Sequence, residues 1–174
     1  MNPRSTPVTI TLLCLAIVLP TSGALSQEKQ HVSFKVPPEA SKYTQQLTLD
    51  IKDLPNHAVR AFEIHYTFPS NPPVINGLKL VEAWDRGFGD RIDGSGSLTL
   101  YTEYVMENGD RFYTRNVGIV QNTGGKLTST LTGIITGGTG KLAAIQGNSR
   151  GGAPFDYKTG VSAPQTDIEY SIGK

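Results

Sequence analysis

The chain has 174 residues, with 16 Lys and Arg against 15 Asp and Glu, three histidines and a single cysteine. A net charge near zero with no basic stripe argues against nucleic acid as a partner, because neutralising phosphates takes clustered cations. One cysteine excludes a disulfide framework, so the fold must rest on core packing, and the length suits a single domain.

The first 26 residues carry the marks of an export signal. Arg4 provides the positive start, Val8 to Leu19 form an apolar run, Pro20 breaks it, and Ala24-Leu25-Ser26 offer small residues for cleavage. The run is shorter than the ~20 residues a membrane-spanning helix needs, so no span is expected once it is removed. A secreted or periplasmic location follows. The alternative is an uncleaved anchor, although no stop-transfer charges follow the run. Cys14 lies inside it behind Leu12 and Leu13, where a lipoprotein signal would place small residues. Removing Arg4 with the signal leaves acidic and basic residues equal in number.

Residues 27–45 read as an N-terminal arm punctuated by Pro37-Pro38, and residues 46–174 as the domain proper. Within that domain, helical periodicity is nearly absent and alternation recurs. Leu47, Leu49 and Ile51 alternate with Thr48 and Asp50, and Phe62, Ile64, Tyr66 and Phe68 with Glu63, His65 and Thr67. Leu78 and Leu80 open a run that continues through Glu82 to Trp84. Leu98, Leu100, Thr102, Tyr104 and Met106 share one face of a strand, and Val117 and Ile119 share a face of the next. Leu127, Leu131 and Ile135 mark another, and Ile168, Tyr170 and Ile172 the last. Seven or eight such runs separated by Gly, Asn, Asp and Pro predict an all-β barrel or sandwich.

Asn108-Gly109 between two long runs predicts a two-residue hairpin. That register pairs Met106 with Arg111, Tyr104 with Tyr113, Thr102 with Arg115, Leu100 with Val117 and Leu98 with Ile119. Directly paired residues share one side of a sheet. The side is aliphatic far from the turn and gains Arg115, Tyr113 and Tyr104 nearer to it, so it is expected to face inward as a graded pocket wall. The alternative is that these polar groups cap the core with their tips in water.

The segment Leu131-Thr-Gly-Ile-Ile-Thr136, followed by Gly137-Gly-Thr-Gly-Lys-Leu-Ala-Ala-Ile-Gln-Gly147, resembles the allene oxide cyclase-like and dirigent-like barrels. The resemblance spans about two thirds of the chain after the signal. It implies a calycin-like, eight-stranded antiparallel β-barrel, often homo-oligomeric, whose interior shapes a hydrophobic substrate. Cyclases of that kind close an unsaturated fatty-acid epoxide into a ring, and dirigent members steer the coupling of phenoxy radicals. None of their catalytic residues maps onto this chain, and the paired early aspartates of dirigent proteins are not evident between Leu47 and Asp53. A nucleotide phosphate loop at Gly140-Lys141 fails on spacing, because Ile135 and Leu142 stand where glycine and Ser or Thr are required.

Glu82, Trp84, Asp85 and Arg86 form the densest cluster of functional side-chain types. An inward Glu82 beside Trp84 would have a raised pKa and suit acid–base work, whereas a partner such as Arg115 would instead hold it ionised. The alternative is a solvated Glu82 where the strand leaves the barrel. His31, His57 and His65 share no metal-ligand spacing, so no metal is expected. Gly94-Ser95-Gly96-Ser97 lacks the context of a nucleophile elbow. Residues 87–94 are expected to form a ligand-admitting rim loop, its entrance lined by Trp84 and Phe88.

The reading that results is an exported β-barrel holding a small, mostly hydrophobic molecule, without a cofactor. If it is an enzyme, a cyclase or isomerase is expected, with Glu82, Arg115 and Tyr104 catalytic. Trp84, Phe88, Leu98, Leu100, Tyr113 and Val117 would then contact the ligand. The alternative is a non-catalytic binding or interaction module of the cell envelope.

Overall fold

The computed structural model describes residues 28–173 except 157 and 160, so the expected signal segment, 1–26, lies outside the described residues. The alternating runs form β1 (Gln30–Lys35), β2 (Ser41–Asp50), β3 (His57–Thr67), β4 (Val74–Ile75), β5 (Leu78–Ile92) and β6 (Ser95–Met106). They continue as β7 (Arg111–Thr123), β8 (Lys126–Gly138), β9 (Ile145–Gly152), β10 (Pro154–Asp156), β11 (Val161–Ser162) and β12 (Gln165–Ile172). One antiparallel sheet runs β1-β12-β9-β8-β7-β6-β5-β3-β2, with β4, β10 and β11 attached at its margins. The eight expected strands are thus nine in the main ladder and twelve in all among the described residues.

The sheet ends on β1 and β2, which are consecutive in the chain and joined through a 3-10 turn at Pro38–Ala40. Val36 beside this turn is buried, and its N–H donates to the Pro164 carbonyl at 2.9 Å. Buried side chains from β3, β5, β6, β7, β8, β9 and β12 all belong to one cluster. A sheet this wide can gather them only by rolling around them, which is the barrel. The segment expected to be an arm, 27–45, supplies β1 and half of β2. Val32 and Phe34 alternate with His31, Ser33 and Lys35, and the strand adds to β12.

The hairpin forms where it was expected, with a different register. Gly109 N donates to the Met106 carbonyl at 2.9 Å and Met106 N to that of Asp110 at 2.8 Å, and Gly109 has φ +87°. This is a three-residue loop, a type I turn followed by a left-handed glycine, and not the two-residue turn. Asp110 explains the choice. Its N–H donates to Asn108 Oδ1, and its carboxylate accepts from Asn108 Nδ2 at 2.9 Å and from the Lys141 amide at 2.9 Å. Tyr104 therefore opposes Phe112, Thr102 opposes Thr114, Leu100 opposes Asn116 and Leu98 opposes Gly118. A slip of one residue turns every side chain of a strand over. Phe112, Thr114, Asn116 and Val120 are buried, while Val117 and Ile119 are about half exposed at 47% and 51%.

A bulge between Leu80 and Glu82 has the same effect on β5. Leu78 and Leu80 point inward ahead of it, and Ala83, Asp85 and Arg91 after it. Glu82, Trp84 and Phe88 are thereby turned outward. Residues 87–94 form the end of β5 and a tight turn, where a rim loop was expected.

Candidate functional site

One end of the barrel is closed. The 3-10 turn Gly140–Leu142 folds Leu142 over the interior, where it is fully buried with Leu80, Met106, Phe112 and Ile75. Gly140 has φ +52°, and a Cβ there would collide with the Asp110 carboxylate, so this turn requires glycine.

Above this plug a hydrogen-bonded belt crosses the inner face. Thr102 Oγ1 donates to Asp85 Oδ1 at 2.6 Å, and the Tyr66 hydroxyl is bonded to Asp85 and to Ser162. Tyr104 is bonded to Thr114 and Thr102. Asn116 Nδ2 donates to Thr114 Oγ1 at 2.9 Å, and Ser149 Oγ donates to Asn116 Oδ1 at 2.5 Å. Every one of these side chains is buried. Burial pushes the Asp85 carboxyl up to about 6, while its bonds from Thr102 and Tyr66 pull the other way. Burial also raises the Tyr66 and Tyr104 phenols, helped by the charge of Asp85, so both stay protonated.

Beyond the belt the lumen opens. Its cavity measures about 80 Å³ as space open to water centres, with walls that include Phe62, Leu98, Leu100, Leu131 and Phe155. At ~10–15 Å³ per water on that measure, it admits part of a small organic molecule. Gly87 makes room, since a Cβ there would sit 2.5 Å from Phe62 Cζ and 2.9 Å from Leu100 Cδ1.

Of the expected site residues, Tyr104, Leu98 and Leu100 line this lumen. Tyr104 stacks on Phe112 with centroids 4.4 Å apart. The others lie outside the barrel. Arg115 is exposed, its guanidinium 6.0 Å from the Tyr101 ring, and Tyr113 and Val117 share that outer face because the register slipped. Phe88 is 50% exposed. Glu82 faces His65, with Oε2 3.4 Å from Nε2, and accepts from Trp84 Nε1 at 3.3 Å. Trp84 stacks on His65 at 4.0 Å, so both rings pack on the outer surface, as the alternation expected for His65. The expected polarity gradient is also reversed: the hairpin turn marks the apolar plug, and the strand ends far from it form the mouth.

Sequence reasoning missed Asp85, Tyr66, Thr102, Asn116 and Ser149 as a group. Tyr66 and Thr102 were placed on faces shared with Ile64 and Leu100, which was a usable signal. Asp85 was hidden by the bulge.

The sequence matches no protein-family model and no curated protein. Solved structures do resemble it. The pterocarpan synthase dirigent protein GePTS1 aligns over 96% of this chain and 100% of its own, with 17% identity and a TM-score of 0.50. The pterocarpan synthase dirigent protein PsPTS1 aligns over 84% of this chain and 97% of its own, with 15% identity and the same TM-score. These likenesses agree with the closed plug, the curled antiparallel sheet and the lumen: the chain has the dirigent-like β-barrel fold.

Proposed function

We propose that the lumen binds a small, mostly apolar molecule and carries out proton chemistry on it with the chain's own groups, as a cofactor-free cyclase or isomerase. The observation that carries this reading is Asp85. It is a carboxyl on the cavity wall with a pKa near 6, held by Thr102 and Tyr66 and surrounded by aromatic and aliphatic walls. An acid–base group works best when its pKa lies close to the working pH. Ionised Asp85 takes a proton from the ligand and returns it at another position, so nothing is oxidised or reduced. Tyr66 and Tyr104, kept protonated by burial, donate to oxygen on which negative charge develops. The walls hold the flexible ligand near its reactive shape. The solved neighbours are named as synthases, which agrees with chemistry inside such a barrel. Export before folding fits the signal-like first 26 residues and belongs to the same proposal.

A second reading, a non-catalytic binding or interaction module of the envelope, draws on the outer face. Phe88, Tyr101, Val117, Ile119 and Ile134 are exposed there on neighbouring strands. Native mass spectrometry of the protein made by its own export route separates the two. A co-purifying apolar compound that is converted by the wild type and retained unconverted by Asp85→Asn supports the first. A barrel that stays empty through purification and challenge with extracts would sink it.

A further inference from the structure

The belt around Asp85 has a direction. A carboxylate only accepts hydrogen bonds, and a hydroxyl has a single hydrogen to give. Thr102 gives its hydrogen to Asp85 Oδ1, so the bond between Thr102 and Tyr104 is donated by the phenol. Tyr104 then has no hydrogen left for Thr114, and Thr114 must donate to it. Thr114 in turn can only accept from Asn116, and the atom facing it is the amide nitrogen, Nδ2. That leaves Asn116 Oδ1 to accept from the Ser149 hydroxyl. Gly133 makes room for this last contact, because a Cβ there would collide with Asn116 Oδ1. On the other flank Tyr66 donates to Asp85, and Ser162 donates to Tyr66. Both arms, drawn from β3, β6, β7, β9 and β11, end on one carboxylate.

The count changes when Asp85 takes a proton. The carboxyl then donates to one of its partners, and each such contact holds one hydrogen. On the Tyr66 side, the phenol's own hydrogen is displaced. On the Thr102 side, the reversal passes through Thr102 and displaces the hydrogen of Tyr104. Either one turns into the lumen, which both phenols line. Tyr43, Arg60, Arg91 and Arg150 are the other titratable groups on the described cavity wall. The guanidiniums keep their protons, and Asp85 is the one carboxyl there to receive another.

We propose that proton capture by Asp85 turns a phenol of the belt toward the ligand, so that the substrate is an enolisable ketone or aldehyde. This deepens, and rests on, the reading of Asp85 as the acid–base group. The two actions are hydrogen-bond neighbours, so they address adjacent atoms: a carbon that loses its proton and an oxygen that gains charge. The electron pair of the C–H bond becomes the second bond between two carbons, the carbonyl π pair moves to oxygen, and the proton goes to Asp85. The displaced Tyr66 or Tyr104 hydroxyl donates to that oxygen as its charge develops. Return of the proton from Asp85 to carbon restores the belt. Ser149, Asn116, Thr114 and Ser162 stand behind the phenols as positioning residues, keeping both pointed at Asp85 until the proton arrives.

Two measurements test this. In ligand-free protein carrying carboxyl-labelled aspartate, the Asp85 signal is titrated by NMR in wild type, Tyr66→Phe, Thr114→Val and Ser149→Ala. Tyr66→Phe should raise the proton affinity of Asp85 about tenfold, the size of one hydrogen bond to a charged group. Thr114→Val should raise it less and Ser149→Ala least, because each further bond passes on only part of its effect. Should Thr114→Val melt early, Tyr66→Phe carries the comparison, since it removes only a hydroxyl. Hydrogen exchange at the α carbons of 2-tetralone in heavy water then reports the chemistry. Wild type should accelerate it, Asp85→Asn should abolish the acceleration, and Tyr66→Phe should lower it about tenfold or more. An Asp85 titration unmoved in both Tyr66→Phe and Thr114→Val overturns the directed belt. Exchange no faster with wild type than without it overturns the carbonyl substrate and leaves the acid–base reading of Asp85 standing. An Asp85 that titrates at its ordinary value of 3.8 removes both.

Discussion

The two ends of this barrel are built from the same alternating strands and differ in what fills them. At the plug, Leu80, Met106, Phe112 and Leu142 meet with no exposure above 1%. At the mouth, the inward positions of β5 are Gly87, Gly89 and Arg91, and those facing them include Leu98, Ser129 and Gly151. Large side chains interdigitate into a core, while glycines and the folded-back Arg91 leave space. A lumen here is a stretch of inner face whose side chains are too small or too polar to close it.

That contrast can be broken most forcefully at the plug. Leu142→Ala and Phe112→Ala are expected to cost about 3–5 kcal/mol each, from lost burial and the void left behind. Thermal melts should fall by roughly 10 °C. Leu98→Ala at the mouth should cost about half as much, because its side chain already faces open space on one side. Equal losses at both ends would show the mouth to be packed as tightly as the plug.

Proton linkage tests the belt next. Asp85 has a folded pKa near 6 against an ordinary value of 3.8, so the folded state holds the extra proton between them. Stability is fully present below about 4 and declines as the pH rises toward 6, by up to about 3 kcal/mol for a two-unit shift. Asp85→Asn should flatten that slope in denaturant titrations from pH 4 to 7. A slope unchanged in the variant would mean that the carboxyl is better solvated than its surroundings imply.

A smaller pH effect belongs at the mouth's outer rim. His57 Nδ1 lies 2.5 Å from Asp53 Oδ1 and its Nε2 2.7 Å from Asp90 Oδ1, and the hydrogen bond to Asp53, then that to Asp90, raises its pKa. Its contribution is fully present below the unfolded value of 6.5 and is lost as the pH rises through the higher folded value. His57→Gln should therefore lower the melting temperature at pH 6 and change it little at pH 9. Gly109→Ala is the mildest perturbation. Its φ of +87° suits glycine, and a Cβ there meets open space, so about 1 kcal/mol of backbone strain is expected. Arg115→Ala should leave ligand retention unchanged because its side chain lies outside.

Much of the architecture was legible. The alternation of Phe62, Ile64, Tyr66 and Phe68 placed one face inward and His65 outward, and the structure agrees. The block from Gly137 to Gly147, which carried the resemblance to barrel families, holds the 3-10 turn Gly140–Leu142 whose Leu142 caps the barrel. The site was read less well. Tyr104, Leu98 and Leu100 face inward as their alternation implied, because they lie on one uninterrupted strand. Arg115, Tyr113 and Val117 depended on a turn longer by one residue, and Glu82 on a bulge at Val81. With a side-chain period of two, each single-residue irregularity inverts everything beyond it.

Residue type and spacing were enough to establish an all-β chain and the place of most of its long strands. Which side chains meet inside the barrel was decided by the folded sheet, through Asp110 holding a three-residue turn against the Lys141 amide and through the bulge in β5. Alternation is a local property that any strand displays, whereas its phase at a given residue depends on contacts made between segments distant in the chain.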